Sequence, residues 1–193
     1  EEEGRTGFAH FFEHLLFEGT KNIEGGQWFK IVEANGGSNN AYTTDDQTYY
    51  YEVFPSNNLE LSLWMESERM LHPVIRQEDR ITLQEGVVKE EKNFRLRNAP
   101  YGAFLYAVRS KLFRKHPYGR LTIGLDKDLE AANIDDFKKF NALYHKPNNA
   151  TLVVAGDIDI DEAKMLIKKY FNDIPSSELI KKEFPKEDPI TET

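Results

Sequence analysis

The stretch His10-Phe11-Phe12-Glu13-His14 places three chemically useful side chains within five residues. On a helix, residues four apart lie close to one 3.6-residue turn, so both imidazoles point the same way and can grip one metal ion. Glu13 follows His10 by three residues and shares that side. A carboxylate there can stand beside a water that the metal activates without being a ligand itself. A catalytic zinc takes three protein donors and keeps one open position. His10 and His14 supply two, and a carboxylate from another segment suits the third. A long helical stretch offers Glu85, Glu90 and Glu91. Adjacent helical residues diverge by about 100°, so Glu90 and Glu91 cannot both face the metal. Helix geometry alone does not choose between them. Zinc, water and a general base together form an apparatus for hydrolysing an amide.

Composition narrows the class further. The 193 residues suffice for one large domain or two tightly packed small layers. A formal charge of −8 argues against nucleic acid as a partner, which needs a basic face. A neutral or mildly basic peptide would not be repelled. The sequence has no cysteine, which excludes disulfides, thiolate zinc sites and cysteine nucleophiles and suits any compartment. No apolar run approaches about 18 residues, so no membrane-spanning helix is expected. No secretory pattern opens the sequence either. The metal motif starts at His10, and chain ends support a site poorly. The expectation is therefore a fragment that lacks preceding residues, and any signal with them.

The elements that must position these groups follow from periodicity and turn residues. Residues 7–18 read as the helix that carries both histidines, with Thr6 as its cap. A short helix over 27–35 stops at Gly36-Gly37. Residues 39–54 read as a β-hairpin turning at Asp45-Asp46, with Tyr49-Tyr50-Tyr51 in a strand covered on both faces. Pro55-Ser56-Asn57 opens an amphipathic helix carrying Leu59, Leu63, Trp64 and Met70. A long helix over about 77–97 holds the three candidate glutamates and gives way at Pro100-Tyr101-Gly102. Helices near 103–113, 127–132 and 135–145 follow. Residues 150–155 read as an apolar strand and 161–171 as a last amphipathic helix. The Lys-, Glu- and Pro-rich tail after Pro175 reads as an extended linker. The pattern is α+β, with strands grouped and helices covering one face. Three strands are few for so many helices, which again points to missing N-terminal strands.

Other candidates give way to simpler readings. Asp157-Ile158-Asp159-Ile160-Asp161 lacks the glycine and distal glutamate of a calcium loop and reads as a strand end running into a helix cap. Asn149-Ala150-Thr151 is an N-glycosylation sequon at the start of a predicted strand. His72, His116 and His145 lie beside or near prolines and read as structural or solvated residues.

The segment from Arg5 to Thr20, RTGFAHFFEHLLFEGT, resembles the active-site segment of the pitrilysin/insulinase family of zinc peptidases, with its inverted H-x-x-E-H order. The likeness extends through Gly36–Thr43, Val87–Lys92, Asn98–Gly102, His116–Gly119 and Pro147–Asp157, covering the chain from Arg5 to about Ile174. In that family about 76 residues separate the second histidine from a glutamate ligand. The same number separates His14 from Glu91, so the resemblance selects Glu91.

The resemblance implies a zinc metalloendopeptidase half-domain over residues 1–174, followed by a linker over 175–193. The implied fold is that of pitrilysin and the mitochondrial processing peptidases, an antiparallel-rich sheet covered by helices, here without its first strands. Zn2+ would be held by His10, His14 and Glu91, with Glu13 as general base. Asn40, Ala41 and Tyr42 match the family's edge strand, which takes an extended peptide by strand addition. A second half-domain, in the same chain or another subunit, would close a chamber for unfolded peptides or small proteins. It would also supply a tyrosine and an arginine that stabilise the reacting carbonyl. The match is best to the bacterial, often periplasmic branch, which implies a periplasmic or secreted location. One position departs from the pattern. The family often has a supporting glutamate seven residues before the ligand glutamate. Gln84 stands there, keeping hydrogen bonding without the charge. The alternative reading is a non-catalytic peptide-binding or structural subunit of the same fold. An intact motif and Glu91 argue against it.

Overall fold

The computed structural model describes residues 1–73, 78–178 and 183–189. The first half of the chain holds α1 (Phe8–Leu15), α2 (Trp28–Ala34), β1 (Ser38–Thr43), β2 (Thr48–Val53) and α3 (Leu59–Leu71). The rest is helical, with α4 (Glu78–Lys92), α5 (Phe104–Leu112), α6 (Asp126–Glu130), α7 (Ile134–Tyr144) and α8 (Ile160–Phe171).

Helix α1 carries the metal motif, as its sequence predicts, but Thr6 does not cap it. Gly7 occupies the cap position with φ of 82°. The Glu1 carboxylate accepts from the N–H groups of Gly7 and Ala9 at 3.1 and 3.0 Å. Thr6 is drawn into a tertiary contact instead. Its hydroxyl and its N–H both donate to Asp128 on α6, at 2.5 and 3.1 Å. Its hydroxyl oxygen accepts from the Leu125 N–H at 3.0 Å. Gly7 makes this docking possible, because a Cβ there would lie 2.5 Å from the Gly124 Cα.

The apolar residues of α1 hold it at the centre of the main core. Phe8, Phe11, Phe12, Leu15 and Leu16 pack with Ile81 and Val88 of α4, Leu129 of α6 and Phe137 of α7. Phe11 and Phe12 are fully buried. Each such side chain contributes roughly 1.5–3 kcal/mol by burial, so α1 is fixed by packing rather than by intrinsic propensity. A second core joins Ile23, Trp28 and Val32 to Met65 of α3.

Strands β1 and β2 pair antiparallel, from Ser38 opposite Val53 to Thr43 opposite Thr48. The Thr44 N–H donates to the Gln47 carbonyl at 2.8 Å, closing the turn around Asp45-Asp46. Burial alternates along both strands. Tyr50 faces inward, whereas Tyr49 and Tyr51 face out. One face of the hairpin is therefore covered, not both. Residues 150–155 are a second correction. They form no strand, and Leu152 and Val153 are exposed. A β-strand requires a neighbour for its N–H and C=O groups, and among the described residues no strand pairs with this segment. The described sheet has two strands rather than three.

A π-helical turn, Asn93–Arg97, extends α4. Helix α7 starts at a reciprocal cap between Asn133 and Asp136. The Asp159 carboxylate accepts from the N–H groups of Asp161 and Glu162 and caps α8. The acidic run at 157–161 thus supplies a helix cap, as its sequence reads, but no strand leads into it. Residues 183–189 contain no helix or strand and lie against a loop. The Glu187 carboxylate accepts from the N–H groups of Arg114, Lys115 and His116.

Candidate metal centre

Helix α1 presents His10 and His14 from consecutive turns, with ring centroids 4.8 Å apart. Helix α4 packs against it through Ile81 and Val88. Gln84 and Glu91 lie at helical spacing from those residues and so share their face. This brings the Glu91 Oε2 to 3.5 Å from His10 Nε2 and 3.2 Å from His14 Nε2. One donor atom from each residue lies within 4.8 Å of the others. Zinc ligands at 2.0–2.1 Å in tetrahedral geometry stand about 3.4 Å apart. The donor set and the two histidine–glutamate spacings therefore fit zinc. The neighbouring glutamates point elsewhere. Glu85 pairs with Lys89 at 2.6 Å, and Glu90 accepts from the Asn93 amide at 3.4 Å on the exposed side.

Bonds from His10 and then His14 hold the Glu91 carboxyl well below the usual carboxylate range, against the opposing effect of burial. The Arg95 guanidinium, one turn along, binds its other oxygen at 2.8 Å. The second ring nitrogens of the two histidines differ. His10 Nδ1 is buried, with no hydrogen-bond partner among the described residues. His14 Nδ1 lies 3.3 Å from Gln84 Oε1. The Gln84 amide nitrogen in turn donates to Glu18, whose other oxygen binds Arg80 at 3.0 Å.

Glu13 is buried and lies outside this donor cluster. The Thr43 hydroxyl donates to its Oε2 at 2.5 Å and lies 3.2 Å from the Thr48 hydroxyl. Thr43 follows Asn40-Ala41-Tyr42 on β1. Asn40 and Tyr42 are exposed, while Ala41 and Thr43 turn inward. The Ala41 N–H donates to the Asn40 side chain at 2.9 Å. One edge of β1 pairs with β2, and the other pairs with no strand among the described residues. Sequence reasoning missed Thr43, Glu18 and Arg80. Alternation along β1 was a usable signal for Thr43, and the four-residue step beyond His14 was one for Glu18. Nothing local marks Arg80.

Residues 1–125 match the insulinase family, peptidase family M16, and residues 131–193 match the inactive domain of peptidase M16. The zinc protease PqqE of Helicobacter pylori is 36% identical over 171 residues, covering 89% of this chain and 38% of that protein. The crystal structure of the first half of the periplasmic protease PqqL from Escherichia coli superposes with a TM-score of 0.83 at 28% identity, over 95% of this chain and 40% of that one. Pitrilysin shares the fold, with a TM-score of 0.82 at 19% identity, over 96% of this chain and 20% of its own. The chain spans about two fifths of the length of the PqqE protein it matches. Its α+β fold is that of the pitrilysin-like proteases. On its sequence and its fold together, the chain belongs to the insulinase family of peptidases, family M16.

Proposed function

We propose that this chain carries the zinc centre of a metalloendopeptidase that hydrolyses peptide bonds of unfolded peptides or small proteins. The observation that carries the reading is the approach of His10 Nε2 and His14 Nε2 to Glu91 Oε2, at 3.5 and 3.2 Å, beside a buried carboxylate that is not one of them. Zinc, when bound, supplies a Lewis acid that makes water a nucleophile near neutral pH and polarises the scissile carbonyl. Glu13 takes the proton of that water on its carboxylate and passes it to the leaving amine. The Thr43 hydroxyl fixes Oε2 of Glu13 and leaves Oε1 for the proton. The unpaired edge of β1 at Asn40, Ala41 and Tyr42 takes the substrate backbone in extended form. Ala41 and Thr43 share one face of this strand, so bound peptide runs past Glu13.

In this reading residues 1–174 form a catalytic half-domain and residues 175–193 a linker. A second half-domain of the same fold completes the chamber. The match to the first half of PqqL supports a second half-domain, and PqqL's own location supports a periplasmic or secreted one.

The test is metal content and hydrolysis of an unfolded peptide, with the second half-domain present. The parent chain is expected to hold about one zinc. Glu13→Gln keeps the zinc and lowers the hydrolysis rate by about 10²–10⁴-fold. Glu91→Gln weakens zinc binding itself. Retained hydrolysis in Glu13→Gln overturns the role given to Glu13. Bound zinc with no hydrolysis by the parent favours a peptide-holding subunit.

A further inference from the structure

The two candidate histidine ligands are held in different ways. His10 has packing around it but no partner for Nδ1 among the described residues. His14 ends a polar chain that runs through Gln84 and Glu18 to Arg80. We infer that Glu18, fixed by Arg80, sets the orientation of the Gln84 amide and through it the tautomer of His14, so that His14 Nε2 presents its lone pair to the metal. This rests on the zinc reading above and adds a positioning residue to it.

The argument follows from donor and acceptor capacity. An amide can turn over with almost no change of shape, so its own packing does not choose which end faces His14. An ionised carboxylate only accepts hydrogen bonds. Glu18 therefore requires the NH2 end of Gln84, and the carbonyl end is left facing His14. A carbonyl also only accepts, so His14 Nδ1 must carry a proton. With Nδ1 carrying a proton, Nε2 is the nitrogen left to give its lone pair to a metal, and Nε2 is the atom that faces Glu91. Arg80 holds Glu18 in place, with their side chains 33% and 13% exposed. Gly25 leaves room for that guanidinium, because a Cβ there would lie 2.7 Å from it. Gln84 lacks the charge of a glutamate, and Glu18 supplies one hydrogen bond further out. A carboxylate acting through the ring N–H raises ligand basicity as well as fixing the ring.

The experiment measures zinc affinity by chelator competition, and 15N spectra of the His14 ring in the metal-free chain. Glu18→Ala is expected to weaken zinc binding by about 10- to 100-fold. Without its acceptor the Gln84 amide turns over, and the His14 Nδ1 signal moves from protonated to lone-pair character. The exchanged pair, Glu18→Gln with Gln84→Glu, puts a carboxylate directly on Nδ1 and an amide behind it. It is expected to restore both readouts, which a purely structural role for Glu18 would not allow. A Glu18→Ala chain with parental affinity and an unchanged Nδ1 signal overturns the inference, as does a folded exchanged pair that recovers neither. If the parent binds no zinc while Nδ1 still responds to Glu18, the orientation role stands and the zinc reading fails. If zinc binds and neither readout responds to Glu18, the reverse holds.

Discussion

Two charged clusters flank the same helix and differ in one respect, access. At the end of α1, the Arg69 guanidinium donates to Glu66 at 3.0 and 3.1 Å and lies 3.7 Å from Glu52. It also donates to the Leu16 carbonyl, just past the helix. Trp28, Phe17 and Tyr50 enclose it, with ring centroids at 4.0, 4.5 and 4.5 Å. The side chains of Arg69 and Glu52 are 4% and 3% exposed, with Glu66 at the rim at 24%. The histidines and Glu91, by contrast, are 9–21% exposed. A cation sealed between carboxylates and rings has no route to a substrate and serves to anchor the helix. A donor cluster that solvent can reach is placed for exchange with a ligand. Perturbed ionisation alone does not separate the two, since both clusters show it. Exposure does.

The largest expected effect comes from opening the sealed cluster. Arg69→Ala leaves the buried Glu52 and the partly exposed Glu66 without their cation and the three rings without their guanidinium, and removing one partner of a buried pair costs up to about 3–5 kcal/mol. Urea unfolding measures it, and a loss below about 1 kcal/mol would deny the cluster its structural role. The reachable cluster should respond to metal instead. Zinc at a hundred times its Kd is expected to stabilise the chain by about 2.7 kcal/mol, and a chelator should remove the gain. His14→Ala should show no such gain. A zinc-dependent shift that persists in His14→Ala would place the metal elsewhere.

Legibility in the sequence divides along similar lines. The histidines and Glu13 are readable because one helical turn brings them together. Glu91 is readable only through a family spacing, because its physical cause is the stripe of Ile81 and Val88 that turns one face of α4 towards α1. The sealed cluster leaves no local trace, since Trp28, Glu52 and Arg69 come from three separate elements. Thr6 illustrates the limit of local rules. It is a good capping residue by type, yet Asp128, 122 residues away, competes for its hydroxyl and wins. The segment 150–155 shows the same limit for strands. Its apolar residues suit a sheet, but pairing depends on a neighbour that composition does not reveal.

The smallest expected effect sharpens the comparison through pH. Burial and the nearby Glu66 charge push the Glu52 carboxyl up to about 8, against the pull of Arg69. The Trp28 indole N–H already donates to its Oε1 at 3.0 Å, so one oxygen is satisfied in either protonation state. The folded chain therefore binds this proton more tightly than the unfolded chain, whose carboxyl titrates near 4.5. Linkage gives the sign. The stabilisation is fully present below about pH 4.5 and is lost as pH rises through about 8. Glu52→Gln keeps an acceptor for Trp28 and cannot ionise. Unfolding free energies of parent and variant, compared between pH 5 and pH 8, isolate this group from every other titration. The parent is expected to lose on the order of 1–3 kcal/mol relative to the variant across that range. A constant difference would mean that Arg69 keeps Glu52 ionised throughout, making the sealed cluster a plain ion pair rather than one cation shared by two carboxyls.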